Sequence, residues 1–130
     1  MTVKRFSTEK GPKALGPYCT ATIAGGLIFC SGLLGIDPAT GKLADGGIEA
    51  QTRQALANLR TIAGELGASM SDAVKTTVYL RDMGDFQTMN GIYKEVFDSG
   101  FPARTCIAVA GLPMGALMEI EAVFAGNGVQ

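Results

Sequence analysis

Apolar positions recur along this chain at two spacings, two residues and three to four residues, and the switches between them mark its elements. Residues 17–25, PYCTATIAG, and 26–32, GLIFCSG, alternate as two strands, and the Gly25-Gly26 pair between them is a hairpin signal. The stretch 33–47, LLGIDPATGKLADGG, is rich in Gly, Pro and Asp and predicts a loop. From Ile48 the spacing lengthens. Ile48, Thr52, Ala55, Leu56, Leu59, Ile62, Ala63 and Leu66 fall on one stripe of a helix that Gly67 is placed to end. Alternation returns over 72–82, whose β-branched content predicts a strand. A second helix follows over about 84–98, with Phe86, Met89, Tyr93, Val96 and Phe97 on its buried side. FPAR then opens a strand to about Val109, GLPMG turns the chain, and 117–124 forms the last strand. TVKRF offers a short extra strand near the N-terminus.

Strand, strand, helix, strand, helix, strand, strand describes one α+β domain over residues 1–130: a mostly antiparallel sheet backed by two helices. Two helices cover one face of such a sheet, so the other face carries the question of function. Met118, Ile120, Ala122 and Phe124 share one face of the last strand, with Glu119 and Glu121 on the other. Val74, Thr76, Val78 and Leu80 oppose Lys75, Thr77, Tyr79 and Arg81. Ala103, Thr105, Ile107 and Val109 oppose Arg104, Cys106 and Ala108, a phase that puts Arg104 on the uncovered face. That face is too apolar for solvent and too polar for a core. It predicts a homo-oligomer built sheet face to sheet face, with polar groups lining clefts.

Composition narrows the chemistry. The chain has 130 residues, 47% of them hydrophobic, a net charge of −1 and no histidine. Without histidine there is no Ser–His or Cys–His nucleophile pair. Without a basic block, a large phosphate footprint is not expected, and neither is a nucleic-acid partner. Three cysteines without metal-ligand spacing predict reduced thiols. With no apolar leader or membrane-length run, the expected setting is cytoplasmic, without a membrane partner. No phosphate-cradling glycine motif is present, and no cofactor or metal is expected.

Each polar candidate has an ordinary reading and a sharper one. Arg104 is a surface ion-pair partner or a fork for a carboxylate. Glu119 is a cross-strand partner of Arg104 or Lys75, or a carboxylate that places a water and takes its proton. Tyr18 is an amphipathic edge residue, Ser31 a turn hydroxyl, and Cys106 a small core residue with nothing to activate it.

Several segments in order, GPY (16–18), SGLLGIDPATGKL (31–43), QTRQALANLRTI (51–62), VKTTVYLRDMGDFQTMNGIY (74–93), FPARTC (101–106) and MEIEAVF (118–124), resemble the Rid family, the YjgF-type imine deaminases. The resemblance runs from about Ser7 to Phe124. It implies a two-layer chorismate-mutase-like fold assembled as a trimeric barrel with clefts at the subunit boundaries. It implies hydrolysis of 2-imino acids, formed from enamines such as 2-aminoacrylate or 2-aminocrotonate, to 2-keto acids and ammonia. By the same resemblance Arg104 holds the substrate carboxylate and Glu119 orients and activates water. Tyr18 and Ser31 line the cleft, the backbones of Gly32 and Cys106 complete its wall, and Asn90 braces it. Leu34-Gly35 departs from the more polar segment of many relatives and bears on substrate size. Two alternatives are an endoribonuclease, an activity attributed to some of the family, and a non-catalytic trimer that binds 2-keto acids or other proteins.

Overall fold

The computed structural model describes residues 2–126. Eight strands and two helices follow one another as β1 (Lys4–Phe6), β2 (Ala21–Ala24), β3 (Leu27–Leu34), β4 (Ile36–Asp37), β5 (Lys42–Leu43), α1 (Gly47–Glu65), β6 (Ala73–Leu80), α2 (Phe86–Val96), β7 (Ala103–Ala108) and β8 (Met118–Ala125). Six strands form one sheet in the order β1-β2-β3-β8-β6-β7. Only the β6–β7 pair is parallel, because α2 carries the chain back across the sheet between them.

Local chemistry sets these boundaries. Gly25 and Gly26 have φ of 59° and 77°, the left-handed pair that lets a two-residue turn match strand twist. Helix α1 ends where Gly67 takes φ 78°; its N–H bonds to Gly64 O and that of Ala68 to Ala63 O, a Schellman closure. The segment expected as a loop over 33–47 is more ordered than its composition suggests. Leu33 and Leu34 complete β3, and Ile36–Asp37 pairs with Lys42–Leu43 in a small hairpin. Asp37 closes that hairpin by accepting the Ala39 N–H at 2.9 Å on its side chain and the Gly41 N–H at 2.8 Å on its carbonyl.

Both helices pack on one face. Leu56, Leu59 and Ile62 of α1 and Met89 and Phe97 of the α2 segment are buried against Ile28, Val78, Leu80, Met118, Ile120 and Phe124 of the sheet. Asn58, 2% exposed, fastens α1 to the β3–β4 backbone: its Nδ2 donates to Ile36 O at 2.8 Å and Leu34 O at 3.3 Å. Gly35 allows this approach, since a Cβ there would lie 2.3 Å from Gln51 O. Among the described residues no helix is long and apolar enough to cross a membrane.

Two strand phases differ from the sequence reading. The register of β6 against β8 slips between Ala73 and Lys75, which leaves Val74 46% exposed in a bulge instead of on the core face with Thr76. The second difference concerns β7. Its parallel register sets Arg104 beside Thr76, Cys106 beside Val78 and Ala108 beside Leu80, so all three lie on the helix side. Thr105 and Ile107 face the uncovered side, where Ile107 is 45% exposed. The apolar character of Ile107 suggests a core position, but at the sheet's edge strand the pairing with β6 decides the phase.

Candidate active site

A second bulge places the first group of candidate residues. Between Cys30 and Leu33 the register of β3 against β8 slips, and Ser31 and Gly32 occupy the irregularity. Ser31 leaves the ladder: its Oγ donates to Cys19 O at 2.7 Å and its N–H to Thr20 O at 2.9 Å. The hydroxyl proton is thereby engaged, and the oxygen keeps its acceptor capacity. Gly32 makes room for Glu119, because a Cβ on it would sit 2.8 Å from Glu119 Oε2. Glu119 lies opposite Leu34 on one side and Tyr79 on the other, on the uncovered face. Burial raises its pKa above the ordinary carboxylate range, and the nearby charge of Glu121 pushes the same way. Tyr18 accepts the Leu15 N–H at 3.0 Å on its phenolic oxygen, which leaves its own O–H as a donor.

Tyr18, Ser31, Gly32 and Glu119 line one hollow of about 270 Å³. Its remaining wall is largely apolar, with Leu33, Leu34, Ile36 and Pro113 joined by the irregular segment 12–17. A carboxylate in such a hollow is partly desolvated, which makes it a stronger proton acceptor than a free one and suits it to general-base chemistry.

Arg104 occupies a different place. On the helix side of β7 its Nη1 donates to Asn90 Oδ1 at 2.7 Å. Its guanidinium carbon lies 4.7 Å from the Tyr93 ring centre and 5.6 Å from that of Phe86. Tyr93 is itself fixed by a 2.7 Å hydrogen bond between its hydroxyl and Thr76 Oγ1. Arg104, Asn90 and Tyr93 line a second hollow of about 420 Å³ with Lys94, Phe101 and Pro102. Cys106, two residues along β7, packs partly against the core. Burial raises its thiol pKa, with Arg104 pulling in the opposite direction. It lines neither hollow.

One chain thus brings Tyr18, Ser31, Gly32 and Glu119 together, and separately Arg104 with Asn90, and the two hollows share no lining residue. The rings of Phe86 and Tyr93 beside Arg104, and the wall 12–17 of the first hollow, read in the sequence as core and connecting residues. The first had a signal: Phe86, Asn90 and Tyr93 stand four and three residues apart, on one face of α2. The wall had none, because segment 7–16 has neither period. Among the described residues no group of three or more Cys, Asp and Glu is placed to hold a metal ion.

Known proteins share this arrangement of chain and fold. Residues 8–125 match the family model described as Endoribonuclease L-PSP. The 2-iminobutanoate/2-iminopropanoate deaminase of Homo sapiens is 47% identical over 118 residues, covering 91% of this chain and 86% of the human protein. The structure of the YjgF gene product from E. coli superposes with a TM-score of 0.89 at 38% identity, covering 94% of this chain and 98% of that one. That of E. coli TdcF with bound serine superposes with a TM-score of 0.89 at 36% identity, again covering 94% and 98%. With the model match spanning nearly the whole sequence and relatives close to half identical, the chain belongs to the Endoribonuclease L-PSP family, the Rid or YjgF group that its motifs resemble.

Proposed function

We propose that this protein hydrolyses 2-imino acids to 2-keto acids and ammonia. The 2-iminobutanoate/2-iminopropanoate deaminases among its relatives support this reaction, and the small substrate class fits the serine bound to TdcF. The observation that carries the reading is Arg104. Its guanidinium is braced by Asn90 and laid over Tyr93, with one N–H engaged. That leaves a planar, pre-oriented fork of donors suited to a carboxylate.

The chemistry needs orientation more than activation. A protonated imine carbon is already electrophilic. Glu119, as carboxylate, accepts a proton from a water while the water oxygen bonds to that carbon. The resulting carbinolamine then collapses: Glu119 returns its proton to nitrogen, the C–N bond breaks to release ammonia, and the carbinol O–H proton passes back to the carboxylate as the keto group forms. Tyr18 donates and Ser31 accepts around the reacting centre.

This reading requires Arg104 and Glu119 at one substrate, although within a chain they lie in separate hollows. We infer that the site is completed between copies in a homotrimer: the Arg104 side of one copy closes the Glu119 hollow of the next. The exposed Phe29 and Ile107 on the uncovered face support such packing.

The test is a coupled assay. A serine or threonine dehydratase generates the enamine, and keto-acid appearance is followed with and without this protein. Acceleration that disappears in Arg104→Ala is the expected result. No acceleration at micromolar protein would overturn the reading for these small imines. Retained keto-acid binding with lost turnover in Glu119→Gln separates the enzyme from a binding module.

A further inference from the structure

The segment between β1 and β2 has no helix or strand, yet residues 12–18 supply seven of the fifteen residues that line the Glu119 hollow. A wall of that kind binds substrate only if its backbone is held from elsewhere. The hold is at the far end of α1, where the Glu65 carboxylate collects three donors from the turn that precedes the wall. Thr8 Oγ1 donates to its Oε1, and the N–H groups of Glu9 and Lys10 donate to its Oε2 at 3.1 Å and 3.4 Å. Thr8 extends the contact in two directions. Its oxygen accepts the Gly11 N–H at 2.8 Å, and its own N–H donates to Thr20 Oγ1 at 2.9 Å, beside β2. Gly11 lies buried against α1, where a Cβ would meet Ile62 Cγ1 at 3.2 Å and Thr8 Oγ1 at 2.9 Å.

We propose that Glu65, the last residue of α1, is a positioning residue for substrate binding: it clamps the turn 8–11 to the helix and thereby fixes the wall 12–18 over the hollow. The proposal rests on that hollow being the catalytic site. Burial alone would raise the Glu65 pKa, but the Thr8, Glu9 and Lys10 hydrogen bonds and the Lys10 charge outweigh it, and the carboxyl is held below its usual value. Three donors from consecutive residues on one carboxylate form a compact clamp on a segment that makes few other backbone bonds. The link from residue to function is entropic: without the clamp, substrate must order the wall when it binds.

Two readouts on the full-length protein test this. Trypsin cleavage after Lys10 and Lys13 reports the wall's mobility, and steady-state imine hydrolysis reports the site. In Glu65→Ala cleavage should accelerate several-fold. KM should rise roughly three- to tenfold, the equilibrium equivalent of one hydrogen bond's net contribution, with kcat held within about twofold. Glu65→Gln, which keeps one acceptor oxygen, should recover part of the KM. Thr8→Ala reaches the clamp from the other side in case the α1 terminus tolerates no change. Combined with Glu65→Ala it should add little to the single effects. Faster cleavage with an unchanged KM overturns the proposal, as does an unchanged cleavage rate. Full activity in Glu119→Gln overturns the site assignment itself, and the proposal with it, whatever the cleavage pattern.

Discussion

At Glu119 stability and function pull in opposite directions. Its pKa is raised because the folded protein desolvates it beside Glu121, so the native state holds that proton more firmly than the unfolded chain does. Stability therefore falls as pH rises through this carboxyl's titration, while activity, which needs the ionised form, rises. Glu119→Gln should melt higher than the parent at pH 8, with the gap shrinking toward pH 4, and should lose turnover at both. A calorimetric pH series beside the coupled assay checks this, and a parent protein no less stable than the variant at pH 8 would contradict it. Gly32→Ala probes the same carboxylate sterically, since its Cβ claims space 2.8 Å from Glu119 Oε2. The carboxylate is the mobile end of a side chain and can shift, so the melting temperature should change little. kcat should drop about 10- to 100-fold, the range of a misplaced catalytic group. Arg104→Lys should be nearly as inactive as Arg104→Ala, because an ammonium makes no fork, with a loss of roughly 2–5 kcal/mol for the missing charge partner. The sequence singles out Tyr18, Ser31 and Glu119, which the structure brings to one hollow, and Arg104, which it sets in another. That partition is not legible in the sequence, because it depends on which face each strand presents.

That face is decided by pairing between elements. Within β7 the alternation is clear, but its phase is not: Ile107 and Val109 suggest one side as the core, whereas register with the buried Thr76 and Val78 sets the other. Arg104 is tolerated on the helix side because it is only half-buried there, with its guanidinium over the rings of Phe86 and Tyr93. The bulges at Val74 and at Ser31–Gly32 are likewise invisible in a period-two pattern, since each inserts an unpaired residue without changing composition. The helices were read more fully, because seven stripe positions in α1 agree with one another and Gly67 ends it. On the β3–β4 side, Asn58 joins α1 to the hollow: it holds the carbonyls of Leu34 and Ile36 while accepting Gln54 Nε2 at 2.9 Å. Asn58→Leu keeps the volume and strands both carbonyls. It should destabilise by about 2–4 kcal/mol, as lost buried hydrogen-bond networks do. Chemical denaturation measures this directly, and a loss below about 0.5 kcal/mol, a typical surface effect, would show that water replaces the amide there.

At the scale of the whole molecule, the proposed assembly has a consequence that no single chain can have. If Arg104 of one copy serves Glu119 of the next, each cleft draws its two essential residues from different chains. Arg104→Ala and Glu119→Gln should each be inactive alone, yet a mixed trimer would contain clefts formed by the intact Glu119 of the first variant and the intact Arg104 of the second. With random exchange of equal amounts, about one cleft in four should be restored, so activity should recover to roughly a quarter of the parent's. Co-refolding the two variants and assaying the mixture against each alone measures the recovery. The control is Phe29→Asp, which puts a charge on the exposed sheet face. It should yield folded single chains by sedimentation and abolish activity despite intact Arg104 and Glu119, because a carboxylate buried between sheets is strongly unfavourable. A site contained in one chain gives neither result: mixing recovers nothing, and a Phe29→Asp monomer stays active. Recovery in the mixture together with a silent monomer would instead assign the fork and the base of this deaminase to neighbouring subunits. Selection on the sheet face would then act through catalysis as well as through stability.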